Sequence, residues 1–419
     1  MEDKRSESKK KDSKIDSSAI FSKEDVNINH QPEFDYFKTL GVFEMAVDHV
    51  YIAFNDGHMA KFVVNLAVIL SAAGLMILMG IGMKYSRHQN LKYYIIRGFT
   101  LLTLAQYLYL IRDCLPNFIA WWTTGKKAYI SRANLVFQTD ILTFTGFAFF
   151  FMAFMKKMKL SDTCIMIISI IMNLVAYPLF KIMKSPSNHF LSQLLGYFVM
   201  TDAESFFPLC SFFIFVAFGN WMGDYYKKLS NKDKFYNLIL IFCLPIVAIY
   251  HYVRSYYSIP FLPDFNSAEH YMLSPGPDAY VRLMANLVAF AIFYKLDKFL
   301  GKTPYFISHC GKNLNQYYMI SYVIIIHLNT YLRVTKGHKY VNEWKYSDIF
   351  GFMLLFISRI LIDLNDKYIH FTVITLKNPM KKIVFGLIWI MSFIMYIYIH
   401  PKVEVQASYW NNYLKDWEE

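Results

Sequence analysis

The sequence predicts an all-α fold, a polytopic transmembrane bundle of about ten to eleven helices, and three observations carry that prediction. First, 55% of the 419 residues are hydrophobic and only 18% are charged, where a soluble chain of this length carries about 25% charge. Second, apolar runs of roughly 20 residues, long enough to cross a bilayer, recur along nearly the whole chain. Third, Lys and Arg gather in the short connections between alternate runs, the signature of positive-inside topology.

Taken in order, residues 1–36 are charged and lack an apolar h-region, so they read as a disordered cytosolic tail without a cleavable signal peptide. Residues 37–400 form the bundle and 401–419 a short C-terminal tail. Apolar length places helices near 38–54, 62–83, 93–111, 135–155, 163–182, 206–222, 236–253, 280–299, 314–332, 347–364 and 382–400. The connections holding Lys84, Arg87 and Lys92, then Lys156, Lys157 and Lys159, then Lys227, Lys228, Lys232 and Lys234, share the side of the basic tail. The same holds for Lys295, Lys298 and Lys302 and for Lys377, Lys381 and Lys382. That pattern predicts an integral membrane protein with its N-terminus cytosolic and its C-terminus outside, and the plasma membrane is taken as the default location. The 112–134 connection, with Arg112, Lys126, Lys127 and Arg132, runs against it.

The net charge of +12 is spread over tail and loops instead of one face, which argues against nucleic acid as a partner. Five cysteines stand singly: Cys114 in a loop, and Cys164, Cys210, Cys243 and Cys310 in or beside apolar runs. Neither a disulfide framework nor a zinc site is indicated, and small core residues are the simpler reading. The outer connections around 112–132, 255–278 and 335–348 are rich in Trp, Tyr and Pro. Such aromatics either stack on a sugar ring or form the usual interfacial belt.

Chemistry concentrates in the stretch KTLGVFEMAVDHVYIAFNDGH, residues 38–58. It is apolar yet carries Glu44, Asp48 and His49 and ends in Asp56 and His58; ionisable groups cost several kcal/mol in a membrane, roughly 2.5 to 3.5 on insertion scales, and are usually functional. Glu44 and Asp48 stack on one helical face, whereas Asp48 and His49 diverge by about 100°, so a partner for His49 must come from another helix. A neutral His there can act as a general base or relay a proton. The connection from Lys84 to Arg97, with Arg87, His88 and Lys92, either holds the phosphates of an anionic cofactor or serves only as an orientation signal. Arg97, inside the third helix, requires an anionic or carbonyl partner. Asp140, Asp202, Glu204, Asp224 and Arg282 are further isolated charges, and Arg359 and Asp363 are spaced as a helix ion pair. The chain has no HExxH, GxSxG, P-loop or DxD pattern, which counts against a zinc protease, a common-fold serine hydrolase, an NTP-driven pump and a metal-dependent glycosyltransferase. No metal is expected.

These segments resemble the integral-membrane acyltransferases, the acyltransferase-3 group with the related heparan-glucosaminide acetyltransferase-like and TraX-like proteins. Lys38 and His49 match the family's Arg, ten residues, then His, and FEMAVDHVYIAF is similar to the LMxxDHV of some branches. LMGIGMKYSRHQNLKYYIIRGFTLL resembles the second helix, basic connection and RRG-led third helix, which assigns a functional basic residue to Arg97. SFFPLCSFFIFVAFGNWMGDYY and CGKNLNQYYMIS resemble later segments, so the likeness spans roughly residues 37–330. Lys38 replaces the usual Arg, Ser321 stands where a late His falls, and His58 lies nearest the proposed active His of the heparan-acetyltransferase branch.

The resemblance implies transfer of an acyl group, acetyl in the first instance, from a cytosolic thioester to a hydroxyl of an extracytoplasmic or lipid-linked carbohydrate. His49 or His58 would be the catalytic base, with Asp48 beside it. Lys38, Lys84, Arg87, Lys92, Arg97 and Arg282 would hold the donor, acetyl-CoA, which acts as substrate with no tightly bound cofactor. The partners it implies are the bilayer, the acyl-CoA donor, the carbohydrate acceptor and, in a homodimer, a second copy. A proton-coupled secondary transporter using Glu44, Asp48 and His49 is the alternative from another class, and a non-catalytic membrane partner of envelope enzymes is a third.

Overall fold

The computed structural model describes residues 19–54, 58–133, 137, 140–183, 189–201, 205–257, 276–342, 344–369 and 380–399, and within the second helix side chains from residue 70 onward. Among them no strand forms; an isolated β-bridge joins Phe21 to Leu229. The fold is an all-α bundle whose central helix, α1 (Pro32–Phe54), packs against α2 (His58–Tyr85), α11 (Pro277–Leu300), α12 (Tyr305–Lys312), α13 (Leu314–Lys336) and α15 (Ser347–Leu364). Proline at the first helical position of α1 costs no hydrogen bond, because that N–H would be orphaned anyway.

The third apolar run departs from expectation. Instead of ending at 111, it continues from α3 (Leu91–Tyr109) through a π turn, Leu110–Cys114, into α4 (Leu115–Thr124). Pro116 explains the turn: it cannot donate to the carbonyl four residues back, and its ring crowds that carbonyl. The helix widens by one residue, and the Leu115 N–H bonds to Leu110 O. The supposed outer connection 112–134 is therefore largely helical, with Gly125 in the left-handed region separating α4 from α5 (Lys127–Ala133). Cys114 lies in the π turn and is buried, not in a loop.

Asp140 caps α6 (Ile141–Lys157), which begins six residues later than expected. It is followed by α7 (Asp162–Ile182), α8 (His189–Gly196), α9 (Leu209–Lys227) and α10 (Lys232–Tyr256); α14 (His338–Asn342) and α16 (Met380–Ile399) complete the described elements. Helices α2 and α9 pack backbone to backbone: a Cβ on Gly219 would collide with the Ile77 carbonyl oxygen, and one on Gly80 would lie 2.6 Å from Asn220 N. Small residues at such crossings let helices approach where lipid supplies no hydrophobic drive.

Five described helical segments are long and apolar enough to cross a membrane: Leu91–Thr124, Asp162–Ile182, Lys232–Arg254, Pro277–Leu300 and Met380–Ile399. Three of them bear the surface of a membrane protein. On α7, Ile167, Ile171 and Leu174 are exposed, on α10 Ile241, Phe242 and Ile249, and on α16 Ile383, Leu387, Ile390, Ile394 and Ile397. Helix α1 is long enough at 23 residues but carries Glu33, Asp35, Lys38, Glu44 and Asp48.

Residues 19–36, expected to belong to a disordered tail, are ordered. Residues 19–31 strap across the α9–α10 turn, with Ser22 N and Val26 N donating to Lys228 O and Lys227 O at 2.7 and 2.8 Å, and helix begins at Pro32. Tyr85 anchors the same strap by donating to Asn27 O at 2.8 Å. The α2–α3 turn, the α9–α10 turn and the α11–α12 junction thus share one end of the bundle with the start of α1, and that end carries most of the turn lysines.

Candidate functional site

The π turn places Arg112 and Asp113 in the core, 2% and 5% exposed. The Arg112 guanidinium grips Asp113 Oδ2 through Nε at 2.7 Å and Nη2 at 2.6 Å and reaches Asp140 Oδ2 at 3.5 Å. Tyr318 of α13 donates to the same Asp140 oxygen at 2.9 Å, while Asp140 Oδ1 accepts the Leu142 N–H at 2.7 Å. One carboxylate therefore caps α6 and pins α13 and the π turn together.

His49 joins this cluster through an aromatic ring. Its imidazole stacks on Tyr322 with centroids 4.0 Å apart and planes 12° apart, and the Arg112 guanidinium lies over the Tyr322 ring at 4.0 Å. The partner for His49 does come from another helix, but as a stack and not as a hydrogen bond. His49 makes no hydrogen bond among the described residues and is only partly covered, so both ring nitrogens remain available. His327, five residues further along α13 than Tyr322, holds the π turn through Nε2 and Ile111 O at 2.8 Å; since a carbonyl only accepts, Nε2 carries the proton. Asn329 donates to Ala53 O at 2.6 Å and Arg333 to the same atom at 3.3 Å, fixing the end of α1.

Glu44 is 1% exposed, and neither of its carboxylate oxygens has a hydrogen-bond partner among the described residues. Asp48, one turn on and partly covered, has no ion pair among the described residues. The side chain of His58 lies outside the described residues, as do Asp56 and most of the aromatic connection 255–278.

The basic residues assigned to the donor divide. Arg87 and Lys92 are exposed around the α2–α3 turn, where Asn90 caps α3 by accepting the Tyr93 N–H at 2.8 Å. Arg97, four residues before a buried Leu101, is partly exposed and has no ion pair among the described residues. Lys84 is buried and pairs with Asp162, and with Asp224 at 2.9 Å, so its charge already serves the α2–α7–α9 junction. Lys38 pairs with Asp35 at 3.3 Å. Arg282 is buried in α11, apart from the turn: Asn286, one turn nearer the basic end, packs on Gly74, which is about 15 Å of helix from Lys84. Ser321 is buried and bonds back to Tyr317 O at 2.7 Å.

No single set therefore contains every residue expected at the site. Helical rise separates Arg97 from Arg112 by about 22 Å and Lys38 from His49 by about 16 Å. The arrangement is a basic turn at one end and a His49–Tyr322–Arg112 stack deep in the bundle. Arg112, Tyr322 and His327 escaped the sequence reading, although charges followed by Pro116 within an apolar run were a visible signal. No family model, curated protein or solved structure matches the chain.

Proposed function

We propose that the protein is a membrane-embedded O-acyltransferase. It takes an acyl group, acetyl in the simplest case, from a cytosolic thioester such as acetyl-CoA and delivers it to a hydroxyl of an extracytoplasmic or lipid-linked carbohydrate. The observation that carries this reading is the imidazole of His49, held by Tyr322 with both nitrogens unused inside an apolar bundle. In this reading His49 removes the acceptor's hydroxyl proton as its oxygen attacks the thioester carbonyl; the C–S bond breaks, and the proton passes to the departing thiolate. Arg112, paired with Asp113 and Asp140 on the other face of Tyr322, holds the ring that positions His49. Arg87, Lys92 and Arg97 meet the donor's phosphates at the basic end, which lies on the cytosolic side of the plasma membrane with the N-terminus.

The test is transfer of radiolabelled acetyl from acetyl-CoA to cell-envelope material in membranes. Wild type is expected to form stable label and His49→Ala, at equal protein level, to lose it by about a hundredfold or more, the usual contribution of a general base. Undiminished transfer by His49→Ala removes His49 from the mechanism. Glu44, without a partner among the described residues, supports a second reading, a proton-coupled transporter of a small polar solute, because a buried carboxyl of this kind suits proton exchange. Solute uptake that needs Glu44 and leaves no stable acyl product would favour that reading.

A further inference from the structure

A groove of about 380 Å³ opens on the flank of the bundle between α1, α11, α12 and α15, lined chiefly by Leu40, Phe43, Phe293, Phe306, Phe352 and Phe356. Its size falls within the range of small-molecule sites, but such sites converge a few polar groups on their ligand. Here the lining offers almost none. The Thr39 hydroxyl is spent on Asp35 O at 2.8 Å and Ile307 O at 3.3 Å, and the Tyr36 hydroxyl is buried out of reach of an occupant. An occupant of this groove is hydrocarbon. Between apolar surfaces in a bilayer, however, no hydrophobic drive selects one chain over another. Selection needs a polar handle.

Arg359 supplies it. One turn beyond Phe356, its guanidinium lies 5.7 Å from the Phe306 ring and 5.3 Å from Tyr305, directly beside the lining. The side chain is partly exposed, and only Nε is engaged, with Asp363 at 3.4 Å. Asp363 is itself shared with His309 at 3.3 Å. The two Nη groups make no hydrogen bond among the described residues, and a partly exposed fork with unused donors suits a phosphate oxygen. Lys302 and Lys312 are exposed on the same end of the bundle, at the depth of lipid headgroups if that end meets the membrane surface.

We propose that this groove binds one acyl chain of a membrane phospholipid whose phosphate is held by Arg359. The inference is independent of acyl transfer. Native mass spectrometry of the full-length protein, delipidated in detergent and re-exposed to a mixture of phosphatidylethanolamine and phosphatidylglycerol, tests it. One phospholipid per chain is expected to persist on wild type. Arg359→Gln, which removes the handle, and Leu40→Trp, which fills the groove, should each lower its occupancy about tenfold or more. Lys157→Gln, an exposed cation on α6, should retain the lipid as wild type does. Equal retention by wild type and Arg359→Gln would mean loosely held annular lipid and overturn the proposal. So would a wild-type dimer that carries no lipid and dissociates in Leu40→Trp, because a second copy would then cover the groove. Should Leu40→Trp fail to fold, the comparison of Arg359→Gln with Lys157→Gln decides alone.

Discussion

Arg112 is the residue on which the buried cluster depends, because it is the cation that meets both Asp113 and Asp140. Removing one member of a buried ion pair leaves an uncompensated charge and costs about 3–5 kcal/mol. Arg112→Met is therefore expected to unfold in detergent at a clearly lower temperature than wild type. Tyr322→Phe, which keeps the ring between His49 and Arg112, should unfold closer to wild type than Tyr322→Ala, which loses about 1–2 kcal/mol of cation–π contact. Thermal unfolding followed by intrinsic fluorescence separates the three, and an unchanged Arg112→Met would show that Asp113 and Asp140 do not need its charge. At this scale the sequence was informative where charge stood alone in apolar surroundings. Glu44, Asp48 and His49 were visible for that reason. Arg112 was passed over, because an Arg-Asp pair three to four residues ahead of Pro116 looks like the end of a helix and the start of a loop. Only the spatial return of α13 reveals that Tyr322 lies between Arg112 and His49.

Among the elements, α2 and α9 test whether close backbone approach holds the bundle together. A methyl group at Gly219 meets the Ile77 carbonyl, a backbone atom fixed by its own helix, and overpacking of this kind costs about 1–3 kcal/mol. Gly82, on the same α2, has nothing within 4 Å of an added Cβ. Gly219→Ala should therefore melt earlier, while Gly82→Ala should match or exceed wild type through its better helix propensity, about 0.5–1 kcal/mol. Equal melting of both variants would place the stability of the bundle elsewhere. Helix positions were legible because apolar length is a direct consequence of bilayer thickness, and each of the eleven expected runs contains a helix. Boundaries were less so. The π turn needs the clash of Pro116 with a carbonyl to be foreseen, and the strap over residues 19–31 is polar, held by backbone bonds to the α9–α10 turn that no local pattern announces.

For the whole molecule, the proposed chemistry is divided between one end of the bundle and its interior, and the division has a measurable consequence. Arg87, Lys92 and Arg97 lie around the α2–α3 turn, while the His49 stack is deeper, about 22 Å of helical rise from Arg97 to Arg112. A donor that binds through its phosphates at the turn must extend its thioester arm into the bundle, so affinity for the donor and the chemical step should respond to different residues. Calorimetry of acetyl-CoA binding to the purified protein in detergent is expected to show saturable binding that weakens as salt screens the exposed cations. Arg97→Ala should reduce affinity about tenfold or more, the worth of one charge-assisted contact, whereas His49→Ala should leave affinity nearly unchanged while abolishing transfer. The opposite pattern, with binding lost on changing His49 and indifferent to Arg97, would place the donor in the deep site alone and leave the basic turn with the task of orienting the chain in the membrane. No binding to a folded, monodisperse preparation would shift the reading toward proton-coupled transport, in which Glu44 and Asp48 rather than the basic turn become the residues to change.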